Sequence, residues 1–253
     1  MKLHFRKYGE GQPFLILHGL FGSSDNWLTL GKKFSAKYQV YIIDQRNHAR
    51  SPHSNSISYD LMADDLYELI LDEGLNEIIL LGHSMGGKTA MRFVQKYPHL
   101  IHKLIIADIG RKQYPAHHEY IIQGLNAIDL TKIKSRREAR LILSKYVKEE
   151  GLKQFLLKNL FWINKGQLSW RMNLPVLEKK MNEILSEIQS DIVLTPTLFL
   201  KGERSDYILE SDFEDLNYYF PNADIETIYN AGHWLHAENP FEFHELVMEF
   251  LNN

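Results

Sequence analysis

The segment Leu81-Gly82-His83-Ser84-Met85-Gly86-Gly87 constrains the fold of this chain more than any other. It is a G-x-S-x-G turn set between two regular elements. The apolar run Ile78-Ile79-Leu80-Leu81 before it predicts a short buried strand, and Lys88 to Tyr97 after it predicts a helix stopped at Pro98. A turn this sharp holds its serine in a strained backbone conformation and pushes the side-chain oxygen clear of the sheet. Small neighbours are needed at Gly82 and Gly86, where any side chain would strike the adjoining strand or helix.

Other apolar runs repeat the theme: Phe14 to Leu17, Val40 to Ile43, Leu104 to Ala107, Thr197 to Leu200 and Asp224 to Ile228. Most are continuous and not alternating, as expected of strands covered on both faces of a parallel sheet. Helices fit between them, such as Ser58 to Glu73, where Leu61, Leu66, Leu69 and Ile70 are expected to share a face. The rhythm predicts an α/β fold, a mostly parallel sheet with helices on both faces. It breaks between residues 111 and 190, where helical periodicity in Ser135 to Glu150 and Pro175 to Ile188 comes without a convincing strand. The expected division is therefore a core of residues 1–110 and 191–253, with residues 111–190 inserted as a helical cap. Tyr114, Phe155, Phe161, Trp162 and Trp170 are expected to serve as cap core or pocket lining.

Bulk properties remove several classes of function. A net charge of -3 over 253 residues offers no basic footprint for nucleic acid and no polybasic patch for a membrane. Cysteine is absent, which excludes disulfides, thiol catalysis and thiolate metal sites. The first ten residues lack the apolar stretch of a signal peptide, and no apolar run is long enough to span a bilayer. A cytoplasmic protein is expected; the oligomeric state is not legible.

A serine hydroxyl is a weak nucleophile near neutral pH and needs an oriented base. His233, in Asn230-Ala231-Gly232-His233-Trp234, follows the last predicted strand, and loops after the carboxyl ends of parallel strands converge on one sheet edge. His236 is its neighbouring rival. Gly232 is expected to permit close approach to the serine. For the carboxylate that orients the base there are two candidates, Asp108 at the end of the strand Leu104 to Ala107 and Asp206 after Leu200-Lys201-Gly202-Glu203-Arg204-Ser205. Both give the chain order serine, acid, histidine. His18-Gly19-Leu20-Phe21-Gly22 follows the strand Phe14 to Leu17, so the backbone N–H groups of Leu20 and Met85 are candidate donors to an oxyanion formed at Ser84. No metal or cofactor is implied.

From end to end the chain resembles the α/β-hydrolase superfamily. Within it, four blocks together look like the small bacterial acyl esterases of the YbfF type: Leu17 to Trp27, Asp44 to Ser51, Gly82 to Lys88 and Gly232 to Glu238. The cap matches only loosely, through Gly151 to Leu160. The resemblance implies cofactor-free hydrolysis of small-molecule acyl esters, acyl thioesters included, through a Ser-Asp-His triad and an acyl-enzyme. Many superfamily members carry the acid in a Gly-x-x-Asp segment, and that position here is Ser205. In the YbfF-like group such a serine accompanies an acid supplied one strand earlier, which matches Asp108 and makes Ser205 an accessory hydrogen-bond partner. The segment Asp44 to Ser51 departs from the superfamily turn Asp-x-Arg-Gly-x-Gly-x-Ser by having Asn47 and Ala49, and Arg46 in it is expected to be a buried anchor.

Two other readings compete. Carbon–carbon bond hydrolysis or elimination on the same fold, as in the menaquinone-pathway synthase, would need cap cations for a carboxylate substrate, for which Arg136, Arg137, Arg140 and Arg171 are available. A binding protein on a hydrolase scaffold would leave the serine, acid, histidine and oxyanion donors without a task. Dehalogenase and epoxide hydrolase chemistry is disfavoured because Ser84 stands where those enzymes carry aspartate.

Overall fold

A computed structural model describes residues 1–116, 118–189 and 191–253. In chain order the elements are β1 (Phe5–Tyr8), β2 (Pro13–Leu17), α1 (Leu28–Phe34), β3 (Gln39–Ile43), α2 (Tyr59–Glu73), β4 (Ile78–His83), α3 (Met85–Lys96) and β5 (Ile101–Ala107). There follow α4 (Glu119–Asn126), α5 (Arg136–Leu143), α6 (Glu150–Leu157), β6 (Leu160–Asn164), β7 (Gln167–Trp170), α7 (Leu174–Lys179) and α8 (Met181–Leu185). The chain ends with β8 (Thr197–Gly202), α9 (Phe213–Tyr219), β9 (Ala223–Ile228), α10 (Leu235–Glu238) and α11 (Pro240–Asn252).

Seven strands form one sheet in the order β1-β3-β2-β4-β5-β8-β9, parallel except for β1 against β3. The six expected strands are all present. Their continuous apolar character has a simple cause: alternate residues enter different cores. Leu15, Leu17, Leu80, Leu104 and Ile106 pack on one face; Phe14, Ile16, Ile79, Leu81 and Ile105 pack on the other. The chain passes from β2 outward to β3, then returns across β2 to β4. Strand order therefore reverses between β2 and β4, where a crevice opens beyond the strand carboxyl ends.

Several local expectations need correction. Ser58 caps α2 by accepting a hydrogen bond from the Leu61 N–H, and Leu66, Leu69 and Ile70 are buried, but Leu61 is exposed. Five residues along a helix amount to a rotation of about 140°, so Leu61 and Leu66 do not share a face. The insertion is not purely helical. Leu160 to Trp170 forms the antiparallel β6–β7 hairpin, turning at Lys165-Gly166 with Gly166 at φ 85°. The predicted helix over Ser135 to Glu150 is shorter, α5 alone, with α6 beginning only at Glu150, and that over Pro175 to Ile188 divides into α7 and α8. The boundary placed at residue 190 lies outside the described residues. Lys88 ties the insertion down, because its buried ammonium on α3 donates to the carbonyls of Lys112 and Ser186 near the two ends of that segment.

The turn after β3 supports the site from behind. Arg46 Nε and Nη2 donate to the two carboxylate oxygens of Asp65 at 2.6 and 2.8 Å, both side chains being buried, so Arg46 is placed as the anchor the sequence led one to expect. Asn47 and Ala49 stand where the superfamily turn carries glycine, and both adopt the glycine conformation, at φ 63° and 48°. Asparagine tolerates this region, but an alanine there is destabilised by about 1–2 kcal/mol. Ala49→Gly is therefore expected to stabilise the fold by about 1 kcal/mol, net of the entropy glycine loses on folding, and to raise Tm by about 2–4 °C. A calorimetric melt checks it, and an unchanged or lower Tm would count against the strain.

Candidate active site

Ser84 sits between β4 and α3 at φ 52°, ψ −120°, and its N–H donates to the Ala107 carbonyl at 3.0 Å. The glycines allow this by close approach. A Cβ on Gly82 would lie 2.2 Å from the Gly86 carbonyl oxygen, and one on Gly86 would lie 2.4 Å from that of Leu17. The loops after β2, β4, β5 and β9 each contain a non-glycine residue at positive φ: Phe21, Ser84, Asp108 and Asn230. Strained backbone is thus gathered at one sheet edge, as functional sites often show.

Three side chains form a hydrogen-bonded line there. His233 Nε2 is 3.1 Å from Ser84 Oγ, and His233 Nδ1 is 2.7 Å from Asp108 Oδ2. A carboxylate only accepts, so the Nδ1 proton points to Asp108 and Nε2 offers its lone pair to the serine. Asp108 is fully buried. Its Oδ1 accepts from the Gly202 N–H at 3.0 Å, and its Oδ2 also accepts from the Ser205 hydroxyl. Asp206, the alternative acid, is exposed at the rim and does not meet His233. The His233 ring is further held by the Tyr207 ring, stacked at 3.8 Å and 16°, and its carbonyl by His83 Nε2 at 2.8 Å. Burial, with the Asp108 charge adding, raises the Tyr207 hydroxyl to about 12, so it stays neutral.

The rival histidine occupies a different environment. His236 is buried, stacked on Trp27 at 4.1 Å and 8°, and burial lowers it to about 3. Burial likewise holds His83 well below the ordinary imidazole range, with repulsion from His236 and His233 adding. These rings form neutral packing behind the line. The close approach expected at Gly232 belongs instead to Gly202, where a Cβ would lie 2.3 Å from the Gly232 carbonyl oxygen; a Cβ at Gly232 has ordinary clearance. Tyr207 and His83 were not singled out from sequence. Tyr207 lies just past the Ser205-Asp206 pair, and His83 is the variable residue of the elbow, but neither neighbourhood reveals a ring contact.

Leu20 and Met85 line a recess together with Ser84, and the backbone N–H of neither donates to an acceptor among the described residues. Beside Ser84 lies an inner cavity of about 60 Å³ lined by Leu20, Phe21, Ile121, Leu152, Phe155 and Trp234. It meets an outer cleft of about 570 Å³ past His233 and Trp234, lined also by Tyr114, Tyr120 and Tyr207. Of the five aromatics considered from sequence, Tyr114 and Phe155 line these spaces, whereas Trp162 is exposed on the hairpin. None of the four cap arginines lines them. Arg136 donates to the Leu157 and Leu160 carbonyls, Arg140 pairs with Glu150, and Arg171 lies over the Phe161 ring. No group of three or more His, Asp or Glu side chains poised for a metal ion occurs among the described residues.

The sheet, the elbow and the convergent loops together define an α/β hydrolase. Residues 12–132 match the alpha/beta hydrolase fold family, and the chain belongs to that family. It is 39% identical to the sn-1-specific diacylglycerol lipase ABHD11 of Danio rerio, over 96% of this chain and 79% of that one. It is 33% identical to Esterase YbfF of Escherichia coli over the full length of both, in keeping with the resemblance read from the four sequence blocks. A solved structure, a marine microorganism esterase, superposes with a TM-score of 0.96 at 44% identity, covering 98% of this chain and 99% of that one. Among the described residues no helix is long and apolar enough to cross a membrane.

Proposed function

We propose that the chain is a serine hydrolase of carboxylic acyl esters, acyl thioesters included, in which Ser84, His233 and Asp108 form the triad. The observation that carries this reading is the line from Ser84 Oγ through His233 to buried Asp108, opening into a cavity beside two unengaged backbone donors. His233 Nε2 takes the Ser84 proton as Oγ attacks the ester carbonyl, and the Leu20 and Met85 N–H groups hold the oxygen that becomes negative. Each such donor contributes about 2.7–4 kcal/mol to the transition state. The imidazolium gives its proton to the leaving alcohol, and water repeats the sequence to free the acid. The names of the relatives, esterases and a lipase, support the same class of substrate. Hydrolysis of a p-nitrophenyl acyl ester tests the reading, and no turnover on esters or thioesters of any chain length would overturn it.

In this reading residues 111–190 act as a cap that sets acyl preference. Phe155 supports it: the side chain comes from α6, lines the inner cavity and packs 5.7 Å from the Trp234 ring. Phe155→Ala is expected to enlarge that cavity and shift kcat/KM toward longer acyl chains by about tenfold relative to acetyl. A panel of graded p-nitrophenyl esters measures the ratio, and an equal loss on every ester would contradict a selective role.

A further inference from the structure

The net charge of -3 averages over two oppositely charged parts of the chain. Residues 111–190 carry 15 Lys and Arg against 8 Asp and Glu, and the remaining residues carry 14 against 24. Within the insertion, residues 151–177 include Lys153, Lys158, Lys165 and Arg171 and no acidic residue. The β6–β7 hairpin lies in this stretch. Its tip, from Trp162 to Gln167, is exposed at every residue, and Trp162 and Ile163 are 45% and 50% exposed.

The hairpin register shifts between Trp162 and Asn164 and leaves Ile163 without an opposing residue, so Trp162 and Ile163 present adjoining apolar surface beside the turn. A lipid boundary takes up such a projecting tip by insertion, and tryptophan, with an apolar ring and a polar N–H, suits that boundary. The charge around the tip has the matching sign. Lys158 and Lys165 have no acidic partner among the described residues, and the Arg171 guanidinium lies 5.4 Å from the Phe161 ring centroid. Arg136, bonded to the Leu157 and Leu160 carbonyls, adds a cation at the hairpin base.

We infer that the β6–β7 hairpin docks this protein on an anionic lipid surface, Trp162 and Ile163 entering the headgroup boundary while Lys158, Lys165 and Arg171 meet lipid phosphate. The expectation of no membrane contact rested on the mean charge and on the lack of a spanning apolar run, and neither speaks to a hairpin tip. The base of the hairpin is fixed to the site: Asn159 Nδ2 donates to the Phe21 carbonyl at 2.8 Å, in the loop that also holds Leu20. A docked tip thus keeps that loop near a surface carrying acyl esters. The inference concerns binding and stands whether or not Ser84 carries the reaction.

Co-sedimentation with phosphatidylcholine vesicles, with and without phosphatidylglycerol, tests it directly. The wild-type chain is expected to bind the phosphatidylglycerol vesicles and to be released by salt. Lys158→Ser and Lys165→Ser should each weaken binding about fivefold, and the pair Trp162→Ser with Ile163→Ser by about tenfold or more. Each variant should keep its melting temperature and its hydrolysis of a short water-soluble ester. Failure of the wild type to bind, equal and salt-insensitive binding to both vesicles, or variants binding like wild type would each overturn the inference. So would light scattering that finds a dimer disrupted by Trp162→Ser, since the tip would then be covered by a second copy.

Discussion

Ser84→Ala is expected to lose ester hydrolysis by about six orders of magnitude in kcat, the scale seen when a protease nucleophile is removed. The change deletes one oxygen whose hydrogen-bond partner is His233 Nε2 at 3.1 Å. It leaves the β4-to-α3 turn, and its strained φ of 52°, in place. The fold should therefore persist, with a Tm close to wild type. Residual turnover from the Leu20 and Met85 donors and from binding in the cavity should still exceed the rate in water. Two measurements check the assignment: kcat on a short p-nitrophenyl ester, and labelling by a fluorophosphonate probe, which should mark wild type and spare the variant. Activity within tenfold of wild type, or a label on another serine, would remove Ser84 from its role.

What the sequence made legible follows from which interactions are local. The central strands announce themselves because both faces are buried, and Ser84 is placed by its immediate neighbours, since Gly82 and Gly86 must be small wherever an elbow forms. His233 is legible from topology, as the loop after β9 returns to the edge where the elbow lies. β1 was missed because Phe5–Tyr8 is a short edge strand, paired among the described residues with β3 alone. The hairpin was missed because Leu160 to Trp170 has neither a fully buried face nor clean alternation. Its signals were the aromatic and β-branched run Phe161-Trp162-Ile163 and the Lys165-Gly166 turn. From the residues alone the choice of acid stayed open, and only the resemblance favoured Asp108. Asp108 and Asp206 both follow strands on the same edge, and what separates them is the direction of one backbone turn. The φ of 50° at Asp108 sends its carboxylate beneath His233, whereas Asp206 lies exposed.

That separation can be measured. Asp108→Asn is expected to lower kcat by about 10⁴, as the same change does in the worked serine-protease case. The pattern of donors around Asp108 predicts the direction. Oδ1 faces the Gly202 N–H, which can only donate, so an asparagine cannot place its NH₂ there without setting two donors against each other. The amide instead keeps its oxygen toward Gly202 and turns its NH₂ to the Oδ2 position, where the Ser205 hydroxyl can rotate to accept. That NH₂ then faces His233 Nδ1, which must become an acceptor. The imidazole proton moves to Nε2, and the ring no longer presents a base to Ser84. Asp206→Asn, at an exposed residue with no part in this network, should cost less than about tenfold. kcat on one soluble ester, measured for both variants beside their melting curves, decides between them. If Asp206→Asn proves the more damaging, the acid is Asp206. If both fall partway, the two carboxylates substitute for one another, and the close fit of Asp108 to Gly202, Ser205 and His233 is not what holds the imidazole.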